Sequence, residues 1–444
     1  MRGLQVMSVQ LSLWTPEGVR RFSPEGLPLA LRSISANSSE RSLYVPTLPN
    51  LHSHAFQRAM AGRAERRQNE HDSFWTWRET MYAAAARFSP ELLRDVAAQL
   101  YAEMLEAGYG SVCEFHYLHH QADGGHYADP AAMSLALIEA AELTGIRLTL
   151  LPVLYQCGGF DGRALSARQS RFFHSVEQWW QLFARLTALQ GPRLQIGCAL
   201  HSLRAVPESA LRAVVEALPQ GTPVHIHIAE QRGEVEECLA LRGQRPVAWL
   251  LDHAPVDAHW TLVHATHLTP AEVRGIADSG AVVALCPTTE ANLGDGLFPL
   301  AEFMAAGGRF GVGSDSHISV SVVEELRWLE YGQRLRSGQR TVAATQSESR
   351  VADFLYAHAW RAGSTATGCA PVPMATDWLR LDGDDPALCG LPLADVLSGW
   401  LFASQRSPIR EVWVDGECRV REGRHVRHEE ITRRFVQAQR QLWS

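Results

Sequence analysis

The chain has 444 residues, 46% of them apolar, and a formal net charge of −7. Such a chain can bury one large core or two to three average domains. The mildly acidic balance, with no basic stretch interleaved with aromatics, argues against nucleic acid as a partner.

Residues 1–48 mix short apolar alternations (Leu11, Leu13; Leu27, Leu29, Leu31) with turn residues and read as strands of a small β unit. The N-terminus lacks a basic region, a long apolar stretch and a small-residue cleavage site, so no signal peptide is expected. From about 49 to 320, short apolar runs alternate with helical segments, the mark of βα units around a parallel sheet. Eight candidate strands end near His54, His116, Leu154, His201, His227, His264, Cys286 and Asp315. Runs such as Arg147-Leu148-Thr149-Leu150-Leu151 and Val224-His225-Ile226-His227-Ile228 are continuous rather than alternating, as strands buried on both faces should be. Ser89-Pro90-Glu91 caps a helix that closes at Gly108, and Thr269-Pro270 opens another that stops at Gly280. This pattern predicts a (β/α)8 TIM-type barrel over residues 49–369.

After 320 the chain reads as helical, from Val322 to Arg336 and from Arg350 to Ala362. The stretch Ile409-Arg410-Glu411-Val412-Trp413-Val414 is expected to pair with the N-terminal strands. Residues 1–48 and 370–444 would then build one small β domain from both chain ends, with Glu429 to Trp443 as a closing amphipathic helix. No apolar run reaches the roughly 18 residues that span a bilayer, so no membrane partner is expected.

The chemistry starts at Pro49-Asn50-Leu51-His52-Ser53-His54. Side chains at i and i+2 of an extended segment point the same way, so two imidazoles leave one strand end together. Further clusters end other strands: His227 with Glu230, His264 with His267, and Asp315 in Gly313-Ser314-Asp315-Ser316-His317. Catalytic groups of a (β/α)8 barrel sit at those C-terminal ends. A lone histidine is usually a surface or hydrogen-bonded residue, and an aspartate after Gly-Ser is usually a turn residue. Four such groups on strands one, five and eight point instead to a metal site. His52, His54, His227 and Asp315 form a set suited to Zn²⁺ or Fe²⁺, with a position open for water.

All 41 basic residues are arginine. The absence of lysine excludes Schiff-base chemistry and a carbamylated lysine bridging two metals. The eight cysteines are scattered with no Cys-x-x-Cys, which suits reduced thiols in the cytosol.

The order His52-Ser53-His54, His227 with Glu230, His264, Asp315 resembles the mononuclear deaminase branch of the amidohydrolase superfamily. Longer stretches resemble the formimidoylglutamate (N-formimino-L-glutamate) deiminase family of histidine breakdown. They are Asn50-Leu51-His52-Ser53-His54-Ala55-Phe56-Gln57-Arg58-Ala59, Phe74-Trp75-Thr76-Trp77-Arg78-Glu79, His225-Ile226-His227-Ile228-Ala229-Glu230-Gln231, Gly313-Ser314-Asp315-Ser316-His317-Ile318-Ser319 and Trp400-Leu401-Phe402-Ala403. The resemblance runs from about residue 49 to 425.

It implies hydrolysis of N-formimino-L-glutamate to N-formyl-L-glutamate and ammonia by a cytoplasmic homodimer. One divalent metal ion per chain is expected, zinc with iron(II) as the alternative. Asp315, His264 and Glu230 are implied as catalytic: Asp315 takes the water proton, His264 steadies developing charge, and Glu230 carries a proton to the departing nitrogen. Gln57, Arg78, Tyr117, His201 and Arg204 are implied as substrate contacts, and arginine forks suit the two carboxylates of this small molecule. Arg78 lies among aromatics (Phe74, Trp75, Trp77, Tyr82) in a long insert that reads as a lid. The bland alternatives are a solvated lid charge for Arg78, a packing tyrosine for Tyr117 and a solvated helix-start acid for Glu230. Two rival functions stay open: a deaminase of nucleobase or triazine-like rings, and a catalytically dead barrel used as a scaffold.

Overall fold

The computed structural model describes residues 11–22, 42–66, 74–368 and 376–444. The expected alternation at Leu27, Leu29 and Leu31 and the side chains of Phe74 and Trp75 lie outside the described residues.

The chain opens with β1 (Leu11–Thr15), β2 (Gly18–Phe22) and β3 (Leu43–Pro46). It then enters β4 (Leu48–Ser53), β5 (Tyr109–His116), β6 (Arg147–Leu154), β7 (Leu194–Ile196), β8 (Cys198–Ser202), β9 (Val224–Ile228), β10 (Trp260–His264), β11 (Val282–Leu285) and β12 (Arg309–Val312). The last strands are β13 (Trp378–Leu381), β14 (Ile409–Val414), β15 (Glu417–Arg421) and β16 (Arg424–His425).

Strands β4 to β12 form one parallel sheet ordered by the chain, with β7 a short piece beside β6. Every residue of β4, β5, β6, β9, β10 and β11 is buried, which is what their Val/Ile/Leu runs require once helices cover the outside. The sheet closes on itself at the C-terminal rim: Asp315 N–H donates to the His52 carbonyl at 3.0 Å, and His54 N–H donates to the Asp315 carbonyl at 3.3 Å. Gly313 permits that closure, since a Cβ there would lie 2.7 Å from the His52 nitrogen.

The expected fourth strand is broken in two at Gly197. A side chain at 197 would run into Leu151 and the Pro223 carbonyl, so the backbone passes between neighbouring strands only without one. The helix caps fall where the sequence places them. Ser89 accepts from Leu92 N–H ahead of Pro90–Glu106, and Thr269 and Glu272 form a reciprocal box at the start of Pro270–Ser279.

The second sheet has the order β16-β15-β14-β13-β3-β1-β2 and so joins both chain ends. β3 pairs antiparallel with β13, and the chain passes from this sheet into the barrel across Thr47. The tail helix His428–Trp443 packs on the barrel flank, where Thr432 donates to Gln99 and the Trp443 indole donates to the Ala59 carbonyl. Among the described residues no helix is long and apolar enough to cross a membrane.

Candidate metal centre and pocket

The closed rim is where the chemistry lies. Asn50 ties the end of β4 to the segment after β12: its amide N–H donates to Ser314 Oγ at 2.6 Å, and its carbonyl accepts from Ser314 N–H at 3.1 Å. The β4–β5 register shifts between Asn50 and Ser53. Glu114 on β5 secures the shifted residues, accepting from Ser53 Oγ–H at 2.6 Å and from Ala55 N–H at 2.6 Å. The residues on both sides of His54 are thus held by one buried carboxylate.

This frame brings His52, His54, His227 and Asp315 together. His52 Nε2 lies 3.1 Å from His54 Nε2 and 2.9 Å from His227 Nε2, and Asp315 Oδ1 lies 3.4 Å from both His52 and His54. Burial holds all three histidines below their ordinary pKa, so they are neutral. His54 spends its Nδ1–H on the Phe115 carbonyl and His227 spends its own on the His201 carbonyl. A carbonyl only accepts, so both Nε2 atoms carry bare lone pairs. Acceptors therefore face acceptors, and one proton on His52 satisfies a single neighbour. A divalent cation would relieve this, and two overlapping groups here, His52, His54 and Asp315, and His52, His227 and His264, are each close enough to hold one.

Across from this cluster stand two acid–base groups. His264 Nε2 is 3.8 Å from both Glu230 Oε1 and Asp315 Oδ2, while its Nδ1–H faces Glu290 Oε1 at 3.3 Å. Burial alone would lower the His264 pKa. Glu230, the Glu290 hydrogen bond and Asp315 outweigh it and raise the value to about 10. Glu230 is pushed up to about 7, chiefly by burial, with His264 opposing and Asp315 reinforcing. Ala229, His264, Ala265 and Asp315 all sit at positive φ (52°, 69°, 48° and 44°), strained backbone at the ends of β9, β10 and β12.

The pocket above is lined by Gln57, Arg78, Tyr117, His201 and Arg204 together with His54, His227, Glu230, His264 and Asp315. Gln57 donates to the Tyr117 hydroxyl at 3.0 Å, and the Arg78 guanidinium lies over the Tyr82 ring. Arg204 is buried, and its Nη1 has no acceptor among the described residues. Two larger grooves, of about 770 and 620 Å³, lie elsewhere, and no metal-capable cluster of the described residues lines either.

His267, grouped with His264 by sequence, is not part of the site. It lines the smaller of those grooves, and its carbonyl accepts from Arg245. His116 ends β5 as expected but packs against His119, outside the pocket. Four residues escaped the sequence reading. Glu114 and Glu290 are described above. Glu234 accepts from the backbone N–H groups of Ala229 and Glu230, and Tyr155 accepts from Arg78. Tyr155 directly follows β6, so the strand-end rule applied to the third strand would have marked it.

Residues 43–347 match the amidohydrolase family. A formimidoylglutamate deiminase from Pseudomonas aeruginosa is 49% identical over 435 residues, 95% of this chain and 96% of that protein. The crystal structure of an amidohydrolase from Brucella melitensis superposes with a TM-score of 0.89 at 40% identity, covering 98% of this chain and 100% of that one. An atrazine chlorohydrolase from Arthrobacter aurescens TC1, solved with zinc, superposes with a TM-score of 0.78 at 21% identity over 96% of this chain and 94% of that one. That last likeness is one of fold.

Proposed function

Since the chain belongs to the amidohydrolase family, and within it to the formimidoylglutamate deiminases, we infer that it is a metal-dependent hydrolytic deiminase. It converts N-formimino-L-glutamate and water to N-formyl-L-glutamate and ammonia. The observation that carries the substrate is the pair Arg78 and Arg204, both lining the pocket beside the metal-capable cluster. Two guanidinium forks suit two carboxylates. A neutral ring would leave the buried Arg204 Nη1 without an acceptor among the described residues, which is costly.

His52, His54, His227 and Asp315 are the ligands we propose, and zinc is the ion their three imidazoles and one carboxylate favour, with iron(II) accepted by the same set. The bound ion supplies Lewis acidity and lowers the pKa of an attacking water toward neutrality. Asp315 accepts the water proton as the oxygen bonds to the formimino carbon. His264, kept charged by Glu230, Glu290 and Asp315, donates a hydrogen bond to the entering oxygen. The carbon becomes tetrahedral, and Glu230, poised near neutrality, protonates the terminal nitrogen. Both water protons end on that nitrogen, one by way of Asp315 and one by way of Glu230. Ammonia departs and the formyl carbonyl forms.

Gln57 and Tyr117 orient the substrate with His201, while Arg78 and Arg204 take its carboxylates. A substrate panel on zinc-loaded protein tests the reading. Ammonia release from N-formimino-L-glutamate, with none from guanine, adenosine, cytosine or an aminotriazine, is the expected outcome; the opposite pattern overturns it.

A further inference from the structure

Tyr155 is fully buried behind the pocket and does not line it. Its hydroxyl oxygen accepts from Arg78 Nη2 at 3.1 Å and from Gln169 Nε2 at 2.8 Å. The Gln169 amide has no freedom to turn, because its Oε1 accepts the Ser166 backbone N–H at 3.0 Å and the Ser166 hydroxyl at 2.8 Å. The Tyr155 ring meets His201 edge-on with centroids 4.4 Å apart. Burial would lower the Arg204 pKa, and Tyr155, Glu234 and Tyr82 offset that and raise it.

One phenol thus touches two pocket residues that arrive from different parts of the chain, Arg78 through its hydroxyl and His201 through its ring. Arg78 comes from the helix Phe74–Ala85, whereas His201 and Arg204 come from the end of β8 and the turn after it. Arg78 and Arg204 bring like charges into one pocket, where they repel each other. The two lone pairs of the Tyr155 oxygen are taken by Arg78 and Gln169, so the phenol fixes Arg78 against the β8 end that carries His201 and Arg204 before any carboxylate arrives.

We propose that Tyr155 is a positioning and specificity-determining residue: its hydroxyl holds Arg78 while its ring packs on His201, which sets the spacing of Arg78 from the β8 end that bears Arg204, and so the length of dicarboxylate that the pocket accepts. This rests on the formiminoglutamate reading above. The preferred substrate class is an N-formimino amino acid whose carboxylates are spaced as in glutamate, over the one-methylene-shorter N-formimino-L-aspartate. A methylene in an apolar slot is worth only about 10- to 200-fold, so fixed forks are the stronger ruler.

The test is Tyr155→Phe, which removes the oxygen and keeps the ring against His201. Steady-state kinetics on both formimino substrates and metal content are measured on the same samples. Loss of one hydrogen-bond anchor is expected to raise KM for N-formimino-L-glutamate about 10-fold while kcat changes less than about 3-fold. The preference over the aspartate analogue should narrow, with metal content unchanged. Gln169→Leu, which frees the phenol while leaving its oxygen, should shift KM in the same direction by less, and it serves if Tyr155→Phe fails to fold. Unchanged KM and unchanged preference in both variants overturn the proposal while leaving the deiminase assignment standing. So does a fall in kcat with KM unchanged. Wild-type protein that binds metal but turns over neither substrate overturns the deiminase reading, and this proposal with it.

Discussion

The two walls of the pocket are built by opposite means. The proposed metal-binding wall, His52, His54, His227 and Asp315, stands on strand ends of one sheet, and the main chains of His52, His54 and Asp315 are bonded to one another across its closure. Its geometry follows from the ladder, and side chains such as Asn50 and Glu114 only trim it. The proposed carboxylate-binding wall, Arg78, His201 and Arg204, is held by side chains, with Tyr155 and Gln169 behind Arg78. Positions fixed by main-chain ladders are read from spacing. Positions fixed by side-chain anchors depend on residues far away in sequence, and they are where substrate range is set.

The contrast predicts different failures. The largest effect belongs to the chemistry between the walls. Glu230→Gln should lower kcat by about 10³- to 10⁴-fold, the upper range for a general acid–base group, while metal content measured by atomic absorption stays near that of the wild type. Retained kcat would remove Glu230 from the proton path.

On the carboxylate wall, Arg204→Ala should reduce kcat/KM on N-formimino-L-glutamate by about 10²- to 10³-fold with metal content intact, because a buried carboxylate loses its fork. Unaltered kinetics would sink its role. On the metal wall the signature reverses. Glu114→Gln keeps size but loosens the grip on Ser53 and Ala55, so metal affinity should weaken about 10- to 100-fold and activity should return in excess zinc. Competition with a chelator measures this directly.

How far the sequence carried each wall follows from the same division. The His-x-His pair, His227 and Asp315 were legible because a strand end aims i and i+2 side chains together and a barrel gathers strand ends at one rim. The helix caps at Ser89 and Thr269 were legible because capping is local. The break at Gly197 was not, since it answers to Leu151 and Pro223 on other strands. Glu114 binds residues about 60 positions earlier in the chain and Glu290 binds His264 across 26 positions, so neither has a local signature. His267 misled because the turn after β10 carries it into a neighbouring groove, whereas the segment after β12 is tied back to β4 and keeps Asp315 at the rim.

The smallest effect concerns the support behind the carboxylate wall. His116, His119 and His174 pack ring on ring there, and burial holds His116 and His174 down to about 3. Above pH 6.5 both are neutral whether the chain is folded or not. As pH falls below that, the unfolded chain takes up protons that the folded chain refuses until about 3. Stability is therefore complete at neutral pH and lost with acid, by up to about 1.4 kcal/mol per pH unit for each histidine. His174→Gln, unfolded in urea from pH 7 to 4 in metal-free form, should show a shallower slope than the wild type. An identical slope would contradict the assignment.

The most direct test of the account is a titration of metal-free protein with zinc, following ammonia release from N-formimino-L-glutamate. The account predicts no release at the start, a linear rise, and a break at one equivalent per chain. Full activity without metal, or bound zinc with no ammonia released, would contradict it.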